Sequence, residues 1–471
     1  MSTLIWKDLR HHASEWLWSL LVATVGGTII GVVITSWWSA VQWSLAHPDG
    51  PYMLASNILG SNMVGYIGIS TAIVISTTLG LTVTAQQRSH ALWKVLGIPG
   101  RRIRSVILWQ VCAVGLVGGL LGGLLALPTA RVYLLTWREF NLFPDDLPLS
   151  MPLFGIPATM LVTALFSVLG GVGTARRAAN VPEMQALREA ASPKTRTKLW
   201  QWIAAGFFLI PVVLMPILIN LPPEALHSAH TPEMPDVPAE AATADFESPG
   251  DRAVLGGGIG LMVTLAALFI PNWTVRPLLI GWTSLIPGRS PAWFAARANA
   301  RHRSAFSLTT IVPFAIAVAM TGVFHTVANA GRAAGGMHGG VNGFLTIMVP
   351  IFFVAGAGGI ANIAMVGRTR RQEGALLGVI GARSGTILGS TILEGAIYAI
   401  TGILFGLAVT LLSATSAALM SGGGMEVFIG SIPVTTLLPA IGASLVLAIT
   451  TTWLPAQLDR RPMMENLRQP V

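Results

Sequence analysis

The chain has 471 residues, 53% of them hydrophobic and 10% charged, with a mean hydropathy of +0.66; a soluble domain carries about 25% charged residues, so lipid is the solvent for most of this sequence. The net charge of +9 is spread through short segments between apolar runs, which excludes the single basic face of a nucleic-acid-binding protein. A lone cysteine, Cys112, lies in an apolar run and excludes an intrachain disulfide framework, and no CxxC or HExxH spacing offers a metal site.

Crossing the hydrocarbon takes roughly 20 mostly apolar residues per helix. Segments of that kind fall near 16–39, 62–85, 106–128, 151–173, 200–220, 254–272, 306–327, 343–366, 386–413 and 432–455. The first follows Lys7, Arg10 and Glu15 and is too long for a signal-peptide core, so it reads as a retained span. The expected fold class is all-α, a polytopic helical membrane protein.

Ten spans put both termini on one side. The stretch from Gln86 to Ser105 carries Arg88, Lys94, Arg101, Arg102 and Arg104 without an acid, which the positive-inside rule places in the cytoplasm. Segments 175–198, 276–303, 367–383 and 459–468 are also arginine-rich and fall on that same side. On the opposite side, 221–253 gathers seven acids among prolines and alanines, with Arg252 as its one basic residue, and reads as an external acidic loop. The other outer segments are too short for a folded domain of ordinary size. The expected localisation is the cell membrane, multi-pass, with both termini cytoplasmic.

Self-similarity divides the chain further. Ala91-Leu92-Trp93-Lys94-Val95-Leu96-Gly97 resembles Ala375-Leu376-Leu377-Gly378-Val379-Ile380-Gly381, and Pro182-Glu183-Met184-Gln185-Ala186-Leu187-Arg188 resembles Pro462-Met463-Met464-Glu465-Asn466-Leu467-Arg468. Arg10-His11 before the first span weakly matches Arg301-His302 before the seventh. A displacement of six spans keeps both units in one orientation, giving parallel repeats about an axis along the membrane normal. The expected division is a first unit over 1–198, two linking spans over 199–290, and a second unit over 291–471.

Leu92, Val95 and Leu96 share one helical face, Gly97 suits a helix C-cap, and the following arginines suit an acidic partner or lipid phosphate. The order of these elements closely resembles the permeases of the FtsX-like/MacB superfamily of ABC transporters. The residues carrying the resemblance are Arg88, Ala91, Leu92, Leu96, Gly97, Arg101 and Arg102, then Pro182, Ala186, Leu187 and Arg188. In the second unit they are Arg371, Ala375, Leu376, Gly381, Arg383, Glu394, Pro462, Leu467 and Arg468. The resemblance implies that the loop between the second and third spans of each unit is a coupling helix docked on a separate ATPase. The expected ATPase-coupling set is therefore Arg88, Ala91, Leu92, Val95, Leu96, Gly97, Arg101 and Arg102 with Arg371, Ala375, Leu376, Ile380, Gly381 and Arg383.

Glu394 is an ionisable residue inside a span, near the cytoplasmic end and opposite Gln110 in the repeat. A structural reading, with Arg383 or a partner's basic group beside it, is favoured over a gate or proton site. Trp37, Trp38 and Trp43 are a possible substrate entrance, although an interfacial aromatic belt explains them more simply. No phosphate-binding loop occurs anywhere, so ATP and Mg are expected on the partner and no cofactor or metal on this chain. The expected function is the non-catalytic permease subunit of an ABC transporter. Its expected partners are a cytoplasmic ABC ATPase in two copies, membrane lipid and a hydrophobic or amphipathic substrate such as an antimicrobial peptide, lipid or drug, and no nucleic acid. The alternatives are an antibiotic-sensing membrane protein or a mechanotransmitter without vectorial transport. A secondary transporter would want paired midplane charges, which are lacking.

Overall fold

A computed structural model describes residues 13–47, 71–83, 86–138, 149–180, 197, 199–219, 248–288, 290–302, 304–335, 353–365 and 377–458. Every regular element among them is a helix. In chain order these are α1 (Ala13–Ala46), α2 (Thr71–Val83), α3 (Gln87–Val95), α4 (Gly100–Arg138), α5 (Gly155–Asn180), α6 (Leu199–Ile219) and α7 (Pro249–Phe269). They continue as α8 (Pro271–Leu285), α9 (Pro291–His302), α10 (Ser304–Ala333), α11 (Phe353–Met365), α12 (Ser384–Ser421), α13 (Gly424–Ser431) and α14 (Val434–Leu458). Among the described residues eight stretches of helix are long and apolar enough to cross a membrane, and α2 and α11 are the described apolar parts of the second and eighth expected spans.

Three boundaries depart from expectation. The third and ninth spans extend to 39 and 38 residues as α4 and α12, because α4 begins at Gly100 and takes Arg101, Arg102 and Arg104 into its first turns, while α12 begins directly after Arg383 and runs on to Ser421. The outer loop before the sixth span ends earlier, at Ser248, whose hydroxyl accepts the Asp251 amide at 3.1 Å with Pro249 in the first turn, a cap that starts the helix at once. Segment 276–303, expected as a basic loop, folds as the hairpin α8–α9. There Arg301 donates to the Ile280 carbonyl (2.8 Å) and the Thr283 hydroxyl (2.9 Å), and Arg297 to the Ile286 carbonyl (3.3 Å). Two arginines thus cap the C-terminal carbonyls of α8 instead of facing water. Burial, and after it the neighbouring Arg297 charge, lowers the Arg301 pKa.

Within each unit, glycines bring the first and third spans into backbone contact. A Cβ on Gly118 of α4 would lie 2.6 Å from Ala23 Cβ, and one on Gly122 would lie 2.5 Å from the Gly27 carbonyl carbon. In the second unit a Cβ on Gly402 of α12 would lie 2.8 Å from Phe314 Cβ, and one on Gly406 would lie 2.6 Å from Val318 Cγ1. A third rung pairs Gly31 with Ala126 in one unit and Gly322 with Thr410 in the other. Apolar side chains offer no hydrophobic gain for association in lipid, so close backbone approach supplies the packing energy.

The units meet through α2 and α11. Gly358 faces Val74, and the Met365 sulfur lies 3.3 Å from Thr82 Oγ1, which in turn is 2.7 Å from Ser19 Oγ of α1. Both contacts advance in the same direction along the two helices, and Val74 and Gly358 are equivalent positions of the repeat. Equivalent residues touching across an interface mark a two-fold axis, here running between α2 and α11.

The linking spans do not sit evenly between the units. α7 packs against α10 and α12, with Ser413 and Ser416 donating to the carbonyls of Gly257 (2.6 Å) and Gly256 (2.7 Å). α6 contacts α7 through the stacked Phe208 and Phe269 rings, 5.7 Å apart, and α8 through Trp202 edge-to-face on Trp273, and shows many apolar side chains to its surroundings.

Candidate functional site

The chemistry-bearing features concentrate at two elbows, one before each long helix. In the first, α3 ends in a left-handed Gly97 at φ 85°. The Gly97 amide donates to the Lys94 carbonyl at 2.8 Å and the Ile98 amide to the Trp93 carbonyl at 3.0 Å, the Schellman pattern that closes a helix on glycine. In the second, Gly381 has φ 99°. Its amide donates to the Gly378 carbonyl at 3.0 Å and the Ala382 amide to the Leu377 carbonyl at 2.9 Å. After one further residue Pro99, or after Ala382 at Arg383, the carbonyl accepts the first amides of α4 or α12. The two turns are therefore alike bond for bond.

No atom lies within 4 Å of a Cβ built on Gly97 or Gly381, so replacing either is opposed by backbone conformation alone. Gly97→Val and Gly381→Val are each expected to cost about 1–2 kcal/mol, read as a lowered melting temperature of the purified chain. The elbow direction should change with it.

The elbows present bare apolar side chains. Leu96 is 79% exposed and Ile380 83%, and Leu92, Val95 and Val379 are exposed beside them, while Trp93 turns inward onto the core with the His90 ring edge-to-face 5.3 Å away. The stripe expected from the helical spacing is thus turned outward as a whole. Arg88 and Ala91 fall in α3, Arg101 and Arg102 on the exposed first turn of α4, and exposed Arg383 immediately before α12. Arg371, Ala375 and Leu376, like Pro182, Ala186, Leu187, Arg188, Pro462, Leu467 and Arg468, lie outside the described residues.

Trp37, Trp38 and Trp43 are not brought together. Trp37 is exposed, Trp38 meets Phe154 edge-to-face at 5.1 Å, and Trp43 stacks on His47 at 4.4 Å. Glu394 is buried, and its described neighbour is Tyr398, whose hydroxyl donates to Oε1. Ser307 Oγ lies 3.3 Å from the Tyr398 oxygen and donates to the Ala300 carbonyl at 2.7 Å, tying α12 to the α9–α10 junction. Sequence reasoning missed Tyr398 and Ser307, although Tyr398 stands one helical turn from Glu394 on the same face, which was the available signal. It also passed over His325, fully buried in α10 with Nδ1 2.7 Å from the Thr321 carbonyl. Tyr398→Phe is expected to destabilise the chain by about 1–2 kcal/mol, and Glu394→Gln, which keeps an acceptor, by less. Thermal unfolding in detergent measures both.

Two parallel repeats of α-helical spans around a two-fold axis, each with a glycine-closed elbow leading into its longest helix, define a multi-pass membrane protein of duplicated design. The family model for the FtsX-like permease C-terminal domain matches twice, over residues 61–182 and 345–460, together just over half of the chain. The chain belongs to the FtsX-like permease family, the membrane subunits of ABC transporters that pair with an ABC ATPase. Both matches contain an elbow and the long helix that follows it. No curated protein matches the chain.

Proposed function

We propose that this chain supplies both halves of an ABC permease and that its two elbows dock two copies of a cytoplasmic ATPase. The observation that carries this reading is the duplicated elbow: two identical turns on one end of the molecule, each projecting an almost fully exposed aliphatic residue outside any span. Exposed aliphatic side chains in water are costly and mark contact surfaces. Lys94, Arg101, Arg102 and Arg104 flank the first elbow, suit an acidic partner surface and, by the positive-inside rule, put this end and both termini in the cytoplasm. ATP and Mg bind the partner. Closure of the ATPase pair pushes on the elbows, and because α4 and α12 start within a residue or two of the glycines, the push turns each long helix as a lever. A 39-residue α4 is roughly 58 Å long, enough to carry motion from one face of the bilayer to the other, and the glycine ladders make each unit move as a body about the α2–α11 contact.

The substrate class follows from the short outer segments, which leave extraction of a hydrophobic or amphipathic molecule from the bilayer, such as a peptide, lipid or drug, as the use. The test is reconstitution of the chain with its cognate ATPase in lipid vesicles, following hydrolysis and movement of a labelled amphipathic peptide together. Stimulated hydrolysis with movement supports export. Stimulation without movement replaces transport by sensing, and an ATPase that neither binds nor is stimulated removes the permease reading.

A further inference from the structure

One face of α4 runs through Arg101, Arg104, Ser105, Leu108, Trp109 and Cys112, and these residues line a groove of about 490 Å3. They recur at the three- and four-residue spacing that stacks side chains on one stripe of a helix. Polar and apolar ends are segregated: two arginines at the elbow end, then leucine, tryptophan and the thiol over the following turns. The stripe is roughly 16 Å long, about the depth of one leaflet of a hydrocarbon core some 30 Å thick. Ile103 and Ile107 point the other way into the core with no exposure, whereas Trp109 is 62% exposed. Among the described residues neither Arg101 nor Arg104 has a hydrogen bond or ion pair.

The repeat shows what such a face does when it is closed. The equivalent stripe of α12 is Gly385, Leu388, Gly389, Ile392, Leu393 and Ala396, without a charge. There α9 packs across the helix, with Ala292 Cβ 3.4 Å from a Cβ built on Gly389. By the match of Arg10-His11 to Arg301-His302, the sequence counterpart of α9 in the first unit is 1–12, whose charged residues are Lys7, Asp8 and Arg10, a net positive segment and not an acidic one.

We infer that the α4 groove is a binding site for an anionic glycerophospholipid, with Arg101 and Arg104 holding the phosphate and Leu108, Trp109 and Cys112 lying along an acyl chain. Guanidinium groups match phosphate in bidentate geometry, and the site lies one turn from the first elbow. Arg101 is then a lipid ligand and Arg102, outside the groove, remains for the ATPase. The second unit has no counterpart, so the lipid is bound on one side of the two-fold axis.

The test needs the chain alone. Detergent-solubilised protein is titrated with phosphatidylglycerol or phosphatidylcholine and retained lipids are counted by native mass spectrometry. Wild type is expected to retain one phosphatidylglycerol in preference to phosphatidylcholine by on the order of tenfold. Arg101→Gln/Arg104→Gln should erase that preference, and Arg102→Gln, which removes the same charge from outside the groove, should leave it intact. Ser105→Trp, which fills the groove and keeps both arginines, should also abolish retention and stands in if the double variant does not fold. Equal retention of the two lipids by wild type, or an unchanged preference in the double variant or Ser105→Trp, overturns the assignment. Displacement by inorganic phosphate overturns it in favour of a soluble anion. A preference that emerges only after removal of residues 1–12 overturns it in favour of the chain's own N-terminal segment.

Discussion

ATP hydrolysis by the partner ATPase is expected to fall to its unstimulated rate when Leu96 and Ile380 are both changed to aspartate. In the free chain the two side chains are 79% and 83% exposed, so the substitutions remove nothing from the core, and melting temperatures should stay at the wild-type value within about 0.5 kcal/mol of stability. In the complex each change exchanges a buried aliphatic contact for a desolvated carboxylate. A central apolar anchor of an interface contributes about 2 kcal/mol, or roughly thirtyfold in affinity, and burying an unpartnered charge adds to the loss. Co-purification of the ATPase with the variant measures the binding, and phosphate release in lipid nanodiscs measures the coupling. Each single variant should retain one copy of the ATPase where wild type retains two, a stoichiometry readable from the mass of the complex. Full stimulation by the double variant would disprove the docking assignment while leaving family membership untouched.

The second large effect is expected at the glycine ladders. Gly122→Val or Gly406→Val should abolish recovery of folded chain. At Gly122 even a Cβ would lie 2.5 Å from the Gly27 carbonyl carbon, and at Gly406 it would lie 2.9 Å from the Ala319 nitrogen. The obstacle is main chain, which cannot rotate away as a side-chain tip can. Overpacking a core by a methylene or two costs about 1–3 kcal/mol, and forcing two long helices apart loses contacts along their whole crossing. Gly206→Val is the control: it introduces the same side chain into α6, where no atom lies within 4 Å of the built Cβ, and should leave yield and melting temperature unchanged. Size-exclusion chromatography of the detergent-extracted protein distinguishes the outcomes, and survival of the Gly122 variant with wild-type stability would mean that α1 and α4 are not held by close approach.

The two sites of largest effect also divide the labour of the fold. The ladders join the first span to the third within each unit, whereas among the described residues the units meet at α2 and α11, with small and polar residues such as Thr82 and Gly358 at the seam. The Glu394–Tyr398–Ser307 chain lies away from the seam, between α12 and the α9–α10 junction, and braces the second unit internally. Within it Glu394 accepts a hydrogen bond from the Tyr398 hydroxyl of the same helix.

Much of this architecture was legible in the residues. Lipid-spanning helices announce themselves by length and hydropathy, since every backbone polar group must be satisfied within the segment. Family membership and the parallel repeat were readable because the motifs Ala91–Gly97 and Ala375–Gly381 recur in order, and Gly97 could be placed at a helix end because only glycine enters the left-handed region at little cost. The folding of segment 276–303 into α8–α9 was hidden because its arginines resemble those of a solvated loop until the α8 carbonyls that accept from Arg297 and Arg301 are in view. Which arginine of the first elbow lines the α4 groove was equally hidden, because Arg101 and Arg102 are adjacent in sequence and diverge by about 100° only around the helix.

The sequence by itself determined the solvent, the helices, their repetition and the turns that close the elbows, all properties of local composition and of single residues. Tertiary structure alone decided that the stripe of Leu92, Val95 and Leu96 faces outward, that α6 and α7 attach to the second unit, and that the two-fold axis passes between Val74 and Gly358. In lipid an aliphatic side chain reads the same whether it faces a neighbouring helix, an acyl chain or a partner protein, so hydropathy locates a helix without orienting it. Small residues allow close approach to several candidate neighbours, and only the packing of all the spans together selects one.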